Sequence, residues 1–412
     1  MRPGLFISLL MLPSFSAGNE ALDLLEKDAG GSGDVYDDSV RALAPPKGSA
    51  AEKKVFVPPD LQLPDRWDTE MEPKFPMEPR EGFRVAPRGS FEYQYYEGDY
   101  ARGAKLSRAR VGVALETFYG IEILADALFS SSGDYLGWET LRAGVRLNDE
   151  MNLSVGKFPP PFTTEYSRDA SLRWFPNLSP LIAQVSPASG LGAMLEGRGE
   201  KVDWKLGWFG GDSDRSIPSV DAKGYLLASI AASSNRGGND NSNQASYHRW
   251  HVDYLYNMDG SRNETIPLGY RHLVAAGVQY SSGRLDFYSD LILARGGETS
   301  MTGVSAALSY WLMQDAIRFV ARYDYANSGD EGGVLAGWGI PSQGADARFP
   351  SDFPVYTPAG RLSSIYGGLN FHFDDDNFII GTGLEYRSLS EVVGDDESIS
   401  SWGWNTFARY SF

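Results

Sequence analysis

The last twelve residues, Ser401-Trp402-Gly403-Trp404-Asn405-Thr406-Phe407-Ala408-Arg409-Tyr410-Ser411-Phe412, decide how the rest of the chain is read. Successive side chains of a strand point to opposite faces. Trp402, Trp404, Thr406, Ala408, Tyr410 and Phe412 therefore share one face, while Asn405, Phe407 and Arg409 share the other. Aromatic rings near strand ends suit the boundary between hydrocarbon and water, where the ring is apolar and its polar atom reaches solvent. A final strand of this kind can pair with the first strand of a sheet and close it, leaving no exposed edge.

The same alternation recurs upstream. From 106 to 117, Ala109, Val111, Val113 and Leu115 oppose Arg108, Arg110 and Glu116. Ile121, Ile123, Ala125, Ala127 and Phe129 alternate with Glu122, Leu124, Asp126 and Leu128, and Leu141, Ala143, Val145 and Leu147 with Thr140, Arg142, Gly144 and Arg146. Similar segments lie at about 91–97, 150–157, 191–198, 201–209, 247–258, 270–281, 284–294, 303–312, 317–326, 364–373, 377–388 and 402–412. With a weaker candidate near 222–230, the count is about sixteen.

Turn chemistry gives a second reading. Tight connections fall at Tyr119-Gly120, Asn148-Asp149-Glu150, Gly199-Glu200, Ser281-Ser282-Gly283, Met313-Gln314-Asp315 and Asp374-Asp375-Asp376, each after an even-numbered strand. Long connections, notably 158–190, 327–363 and 389–401, follow odd ones. Short turns on one side and long loops on the other describe a transmembrane barrel. The stretch 231–245 is the exception, a long segment where a short turn belongs. A soluble β-sandwich also alternates, but Arg, Asp, Glu and Asn on its inward faces are costly without water. The expected fold is all-β, a transmembrane antiparallel β-barrel of sixteen strands, and Phe412 matches the terminal Phe with which outer-membrane barrels typically end.

Composition agrees. Of 412 residues, 42% are hydrophobic and 13% aromatic, 46 are Gly and none is Cys, which removes disulfides, thiol nucleophiles and Cys-ligated metals. A net charge of -17 argues against nucleic acid as a partner. Met1-Arg2, the apolar run Leu5 to Leu12 and Ser16-Ala17-Gly18 read as a signal peptide over 1–18. Residues 19–88 carry Pro45-Pro46, Pro58-Pro59, Pro64, Pro73, Pro76, Pro79 and Pro87, which predicts an extended, acidic periplasmic segment. The barrel itself is expected over 89–412.

Several segments resemble the phosphate-selective porin O and P family, within the wider superfamily of general and anion porins of the outer membrane. Leu106-Ser107-Arg108-Ala109-Arg110-Val111-Gly112-Val113 looks like an early strand of that family. Val155-Gly156-Lys157-Phe158-Pro159-Pro160-Pro161-Phe162 with Glu165 is similar to the strand end that launches its inward loop, and Tyr366 to Phe373 with Gly383-Leu384-Glu385-Tyr386 to a late hairpin. The resemblance implies a water-filled channel in the outer membrane, usually a homotrimer surrounded by lipid. It passes small hydrophilic solutes or anions, and its third external loop folds inward.

The loop so implied runs from Phe158 to Gly190 and holds Pro159, Pro160, Pro161, Pro176, Pro180 and Pro187. Trp174, Phe175, Leu181 and Ile182 are expected to pack on the wall, and Arg168, Asp169 and Arg173 to line the constriction. The basic lumen candidates are Arg108, Arg110, Arg142, Arg146, Lys157, Arg318, Arg322 and Arg409, a path for anions such as phosphate. Glu116, Glu122, Asp126, Asp324 and Glu385 share the same register, so phosphate selectivity is the weaker expectation.

No cofactor, metal or catalytic set is expected, and the chain does not read as an enzyme. His248 and His251 are three apart and fall on opposite faces of a strand rather than converging on a metal. The alternative function is a structural or adhesive barrel that binds the cell envelope through its loops or its N-terminal segment.

Overall fold

A computed structural model describes residues 83–412 except 100, 118–119, 169–172, 200, 211–223, 235–246, 259–268, 297–298, 330–332, 337–356, 374–376 and 393–397. The strands are β1 (Phe83–Gly98), β2 (Arg102–Thr117), β3 (Ile121–Phe129), β4 (Tyr135–Arg146), β5 (Met151–Phe158), β6 (Gly190–Arg198), β7 (Val202–Phe209) and β8 (Tyr225–Ser234). They continue as β9 (Tyr247–Asn257), β10 (His272–Ser282), β11 (Leu285–Gly296), β12 (Thr299–Met313), β13 (Ile317–Ser328), β14 (Val334–Ala336), β15 (Thr357–Phe373), β16 (Phe378–Val392) and β17 (Ile399–Ser411). Two short helices, α1 (Thr164–Ser167) and α2 (Pro180–Val185), interrupt the β5–β6 connection.

Each strand pairs antiparallel with its neighbour, and β1 pairs with β17, from Ser90↔Ser411 to Gly98↔Gly403, so the sheet closes on itself. Sixteen strands form the wall among the described residues. β14 is a three-residue stub on the start of β15. Closure leaves no unpaired edge, which is what lets a sheet cross hydrocarbon. No helix of the described residues is long and apolar enough to cross a membrane.

The candidate strand near 222–230 is β8, paired to β9 along its whole length and to β7 over 225–232. Of the exceptional stretch 231–245, residues 231–234 continue β8 and 235–245 lie outside the described residues. β1 begins at Phe83, ahead of the boundary expected at 89, and takes in Pro87. That stretch of β1 pairs with β2 alone, since pairing with β17 starts at Ser90. Proline lacks an N–H and is tolerated where one side of a strand has no partner.

Burial follows the two-residue period. On β9, Trp250, Val252 and Tyr254 are exposed while Arg249, His251, Asp253 and Leu255 are buried. His248 and His251 thus take opposite faces. On β17, Trp402, Trp404 and Tyr410 face out, and Asn405, Phe407 and Arg409 face in. The exterior carries a belt of aliphatic and aromatic side chains, and buried ionisable groups such as Glu92, Asp126, Asp290, Arg322 and Arg409 line the interior.

Candidate channel constriction

The β5–β6 connection, 159–189, turns into the barrel instead of leaving it. α2 owes its start to Ser179, whose Oγ accepts from Ile182 N–H at 3.1 Å, with Pro180 in the first turn. Its side chains Leu181, Ile182 and Val185 are fully buried against inward-facing residues of the wall, including Leu255, Leu273, Ile292, Met301 and Leu362. Trp174 and Phe175 form a second buried cluster with Tyr288, Val320 and Tyr366. The four apolar residues expected to pack on the wall do so. At ~25 cal/mol per Å² such burial is a large stabilising term.

Irregular backbone inside a barrel needs partners for its polar groups, and the wall provides them. Five consecutive carbonyls, 173 to 177, each accept from a side chain of the barrel. Arg409 donates to Arg173 and Phe175, Asn370 to Trp174 at 2.8 Å, Gln94 to Pro176 at 3.0 Å and Arg322 to Asn177 at 2.9 Å. Further along, Leu335 N–H donates to Gln184 Oε1 at 2.7 Å. At the start of the segment, Thr163 N–H donates to Asp253 and Thr164 N–H to Asp290, each at 3.0 Å.

Charge pairs complete the attachment. Arg322 meets Glu165 at 3.0 Å and Asp324 at 3.3 Å, and Ser179 donates its hydroxyl to Asp324 at 2.6 Å. Burial raises the Glu165 pKa, and the Arg322 guanidinium opposes that shift. Guanidinium groups and rings also interleave. Arg168 lies 4.3 Å from the Tyr288 ring centroid and 4.6 Å from that of Trp174; Arg318 lies 4.9 Å from Trp174 and 4.8 Å from Trp311. The result is one stack, Tyr288, Arg168, Trp174, Arg318 and Trp311, that joins the connection to three strands. Arg318 also pairs with Asp286.

This bears on four predicted pore residues. Arg168 is buried and sandwiched between two rings, and Arg318, Arg322 and Arg409 hold the connection against the wall. The sequence shows that these arginines face inward, but not which of them the connection covers. Asp169 lies outside the described residues. Arg173 stands at the other margin of the connection, where burial, then the like charge of Arg108, lower its pKa, and Glu139 opposes them. Nη1 of Arg108 and Nε of Arg173 make no hydrogen bond among the described residues.

The remaining candidates lie on β2, β4 and β5, while Phe158, Met194 and Phe209 of β5, β6 and β7 join the buried cluster of α2. Arg110 pairs with Glu139 at 3.6 Å and Arg142 with Glu122 at 3.4 Å. Lys205 pairs with Glu196 at 3.5 Å, and on the flanking β1, Arg88 pairs with Asp126 at 3.2 Å. Arg146 shares the inward register, opposite Asn152. Lys157 pairs with Leu141, beside the row of Arg142 and Gly156, yet its side chain is buried, as is that of Phe158 after it. Gly156 has φ +131, and the alternation of β5 breaks at this irregularity.

Exposure varies among the inward carboxylates. Those of Glu116, Glu139 and Glu196 are 28%, 24% and 23% exposed, against 1% for Glu165 on α1 and 0% for Asp324 on the wall behind it. Beside the more exposed ones, Arg110, Glu122 and Asp126 are buried. Among the residues that hold the connection, Gln94, Asn370, Asp253, Asp286 and Asp290 carried no sequence signal beyond their inward register. Among the described residues, no cluster of His, Asp and Glu is arranged to hold a metal ion.

No protein-family model matches the sequence, and no curated protein matches it. Solved structures share its fold. OprB of Pseudomonas putida superposes with a TM-score of 0.52 at 10% identity, covering 80% of this chain and 94% of that one. The anion-selective porin from Comamonas acidovorans gives 0.51 at 8% identity, covering 80% and 100%. The outer membrane channel DcaP of Acinetobacter baumannii gives 0.50 at 12% identity, covering 80% and 98%. At these identities the likeness is one of fold: the chain is built as a closed sixteen-stranded barrel of the kind found in outer-membrane porins.

Proposed function

We propose that the protein is an outer-membrane porin, a water-filled channel for passive diffusion of small hydrophilic solutes and ions. In this reading 1–18 is removed on export, the segment between 18 and the start of β1 lies on the periplasmic side, and barrels assemble as a homotrimer in lipid. The supporting observation is the inward connection. It packs on one side of the wall, while β2 to β7 carry paired charged side chains among which Glu116, Glu139 and Glu196 are about a quarter exposed, an arrangement that fits a constricted aqueous path.

A preference for anions rests on a narrower observation. The charges of β2 to β7 are largely matched in pairs, which cancels their field at a distance. Arg108 and Arg173 are the exception: among the described residues neither is ion-paired with a carboxylate, and the like charge of Arg108 acts on Arg173. A like-charged pair in a narrow aqueous passage lowers the barrier for anions and raises it for cations. Phosphate is one such anion, although the paired wall does not single it out. The charge of -17 is no obstacle, because selectivity follows local groups and distant exposed charges are screened within about 8 Å at physiological salt.

Single-channel recording in a planar bilayer tests the reading. Stepwise currents are expected, with a reversal potential in a salt gradient on the anion side that moves toward zero in Arg108→Ser and Arg173→Ser. A folded barrel that gives no steps is a structural or adhesive one, and a cation-side reversal potential rejects the anion preference.

A further inference from the structure

At the point where the connection enters the barrel, its backbone hangs on two buried aspartates. Asp290 accepts Thr164 N–H at 3.0 Å on Oδ2 and the Thr164 hydroxyl at 3.0 Å on Oδ1. Asp253 accepts Thr163 N–H at 3.0 Å on Oδ2 and the Ser229 hydroxyl at 2.6 Å on Oδ1. Asp253 is 4% exposed and Asp290 is 0%. Two carboxylates this deep and this close repel each other unless a cation lies between them.

The group between them is His251. Its Nε2 lies 3.2 Å from Asp290 Oδ1 and 3.4 Å from Asp253 Oδ2. To reach Asp290 on β11 from β9, the ring crosses β10, and the residue it crosses is Gly277, in register with both His251 and Asp290. A Cβ at Gly277 would stand 2.2 Å from the ring Cε1 and 2.3 Å from Asp290 Oδ1. The absence of a side chain at that position is what makes the contact possible.

Other charged groups nearby are fixed. Arg249 on β9 and Lys205 on β7 line the same cavity of about 30 Å³ as His251, Asp253, Thr163 and Ser229. Glu165 on α1 is engaged by Arg322. β8 presents Ser229 and Ala231 here, and β10 presents Gly277 and Gln279, none of which titrates. Histidine is the one side chain whose charge ordinarily changes between pH 5 and 8, and a cavity large enough for water gives it access to protons.

The geometry points to His251 as a positioning residue that fixes the third connection in a pH-dependent way. Protonated, it compensates Asp253 and Asp290 and leaves both free to hold Thr163 and Thr164. Neutral, it leaves two facing carboxylates, which separate or take up a proton, and either change weakens the backbone anchor. The connection is therefore held most firmly at acidic pH. This inference takes the role of the connection from the channel reading, but its test does not depend on current.

The test is amide hydrogen exchange by mass spectrometry on the folded, full-length barrel in detergent, over peptides covering 159–168. Rates are corrected for intrinsic exchange at pH 5.5 and pH 8.5. Protection is expected to be about tenfold greater at pH 5.5 in the wild type. His251→Gln should show the low value at both pH values, and Gly277→Ala, which keeps the histidine but obstructs the ring, should shrink the ratio. A wild-type ratio near one overturns the inference without any variant. So does a wild-type ratio retained in whichever of the two variants folds. A barrel that conducts but shows no change in protection rejects the histidine's role and leaves the channel. A silent barrel with the expected ratio does the reverse.

Discussion

Arg322 on β13 and Glu165 on α1 lie 157 positions apart in the chain and meet at 3.0 Å in the interior of the barrel. Both are buried, and Arg322 also holds Asp324 and the Asn177 carbonyl. One guanidinium thus joins the wall to both arms of the inward connection. Replacing it with Ala leaves two carboxylates without compensation, a loss of about 3–5 kcal/mol for a buried pair. Arg322→Ala should lower the temperature at which the folded barrel loses its characteristic gel mobility and make single-channel currents noisier. A quiet channel of unchanged stability would show that the pair does not hold the connection.

Trp174 carries a guanidinium on either side. Trp174→Ala removes the ring that separates Arg168 from Arg318, at a cost of about 3–5 kcal/mol for the buried ring. The two like charges then face each other across a cavity. Conductance should rise as the connection loosens, and Trp174→Phe should restore most of the wild-type value. Equal conductance in all three proteins would place the constriction elsewhere.

Gly303 on β12 seats α2. A Cβ there would lie 2.8 Å from Leu181 Cδ2 and 2.9 Å from Tyr325 O, the second a backbone atom that cannot turn aside. Gly303→Val should therefore push α2 off the wall and destabilise the folded barrel by about 1–3 kcal/mol. Thermal unfolding measures this directly, and a variant as stable as wild type would mean that the contact is not tight.

Glu139 is the acidic neighbour of both Arg110 and Arg173. Glu139→Gln keeps the shape and removes one negative charge from the wall. The reversal potential in a salt gradient should move further to the anion side, opposite in sign to the change in Arg173→Ser. Movement in the same direction as Arg173→Ser would exclude a shared electrostatic effect of the two residues.

Much of the barrel was legible in the sequence because its rule is local. A strand that separates lipid from water must alternate, so Trp402, Trp404 and Tyr410 could be assigned to one face and Asn405 and Arg409 to the other from their order alone. The sixteen strands follow from that period, and so does the inward register of Arg108, Arg110, Arg142, Arg318 and Arg322. Lys157 shows the limit of the rule: after the irregularity at Gly156, Lys157 and Phe158 are both buried, which no two-residue period describes. The apolar residues Trp174, Phe175, Leu181 and Ile182, set among prolines, marked the third connection as one that packs.

Only the tertiary structure decided which inward side chains the connection engages. Register places Arg110 and Arg322 alike on the inner face, yet Arg110 pairs with Glu139 of the wall and Arg322 with Glu165 of the connection. The difference comes from contacts between residues more than a hundred positions apart, such as Thr164 with Asp290 and Trp174 with Asn370. Such pairings have no period, because they depend on where a folded segment comes to rest against a curved wall. The sequence determined which side chains face inward; the closed barrel determined which of them meet the connection.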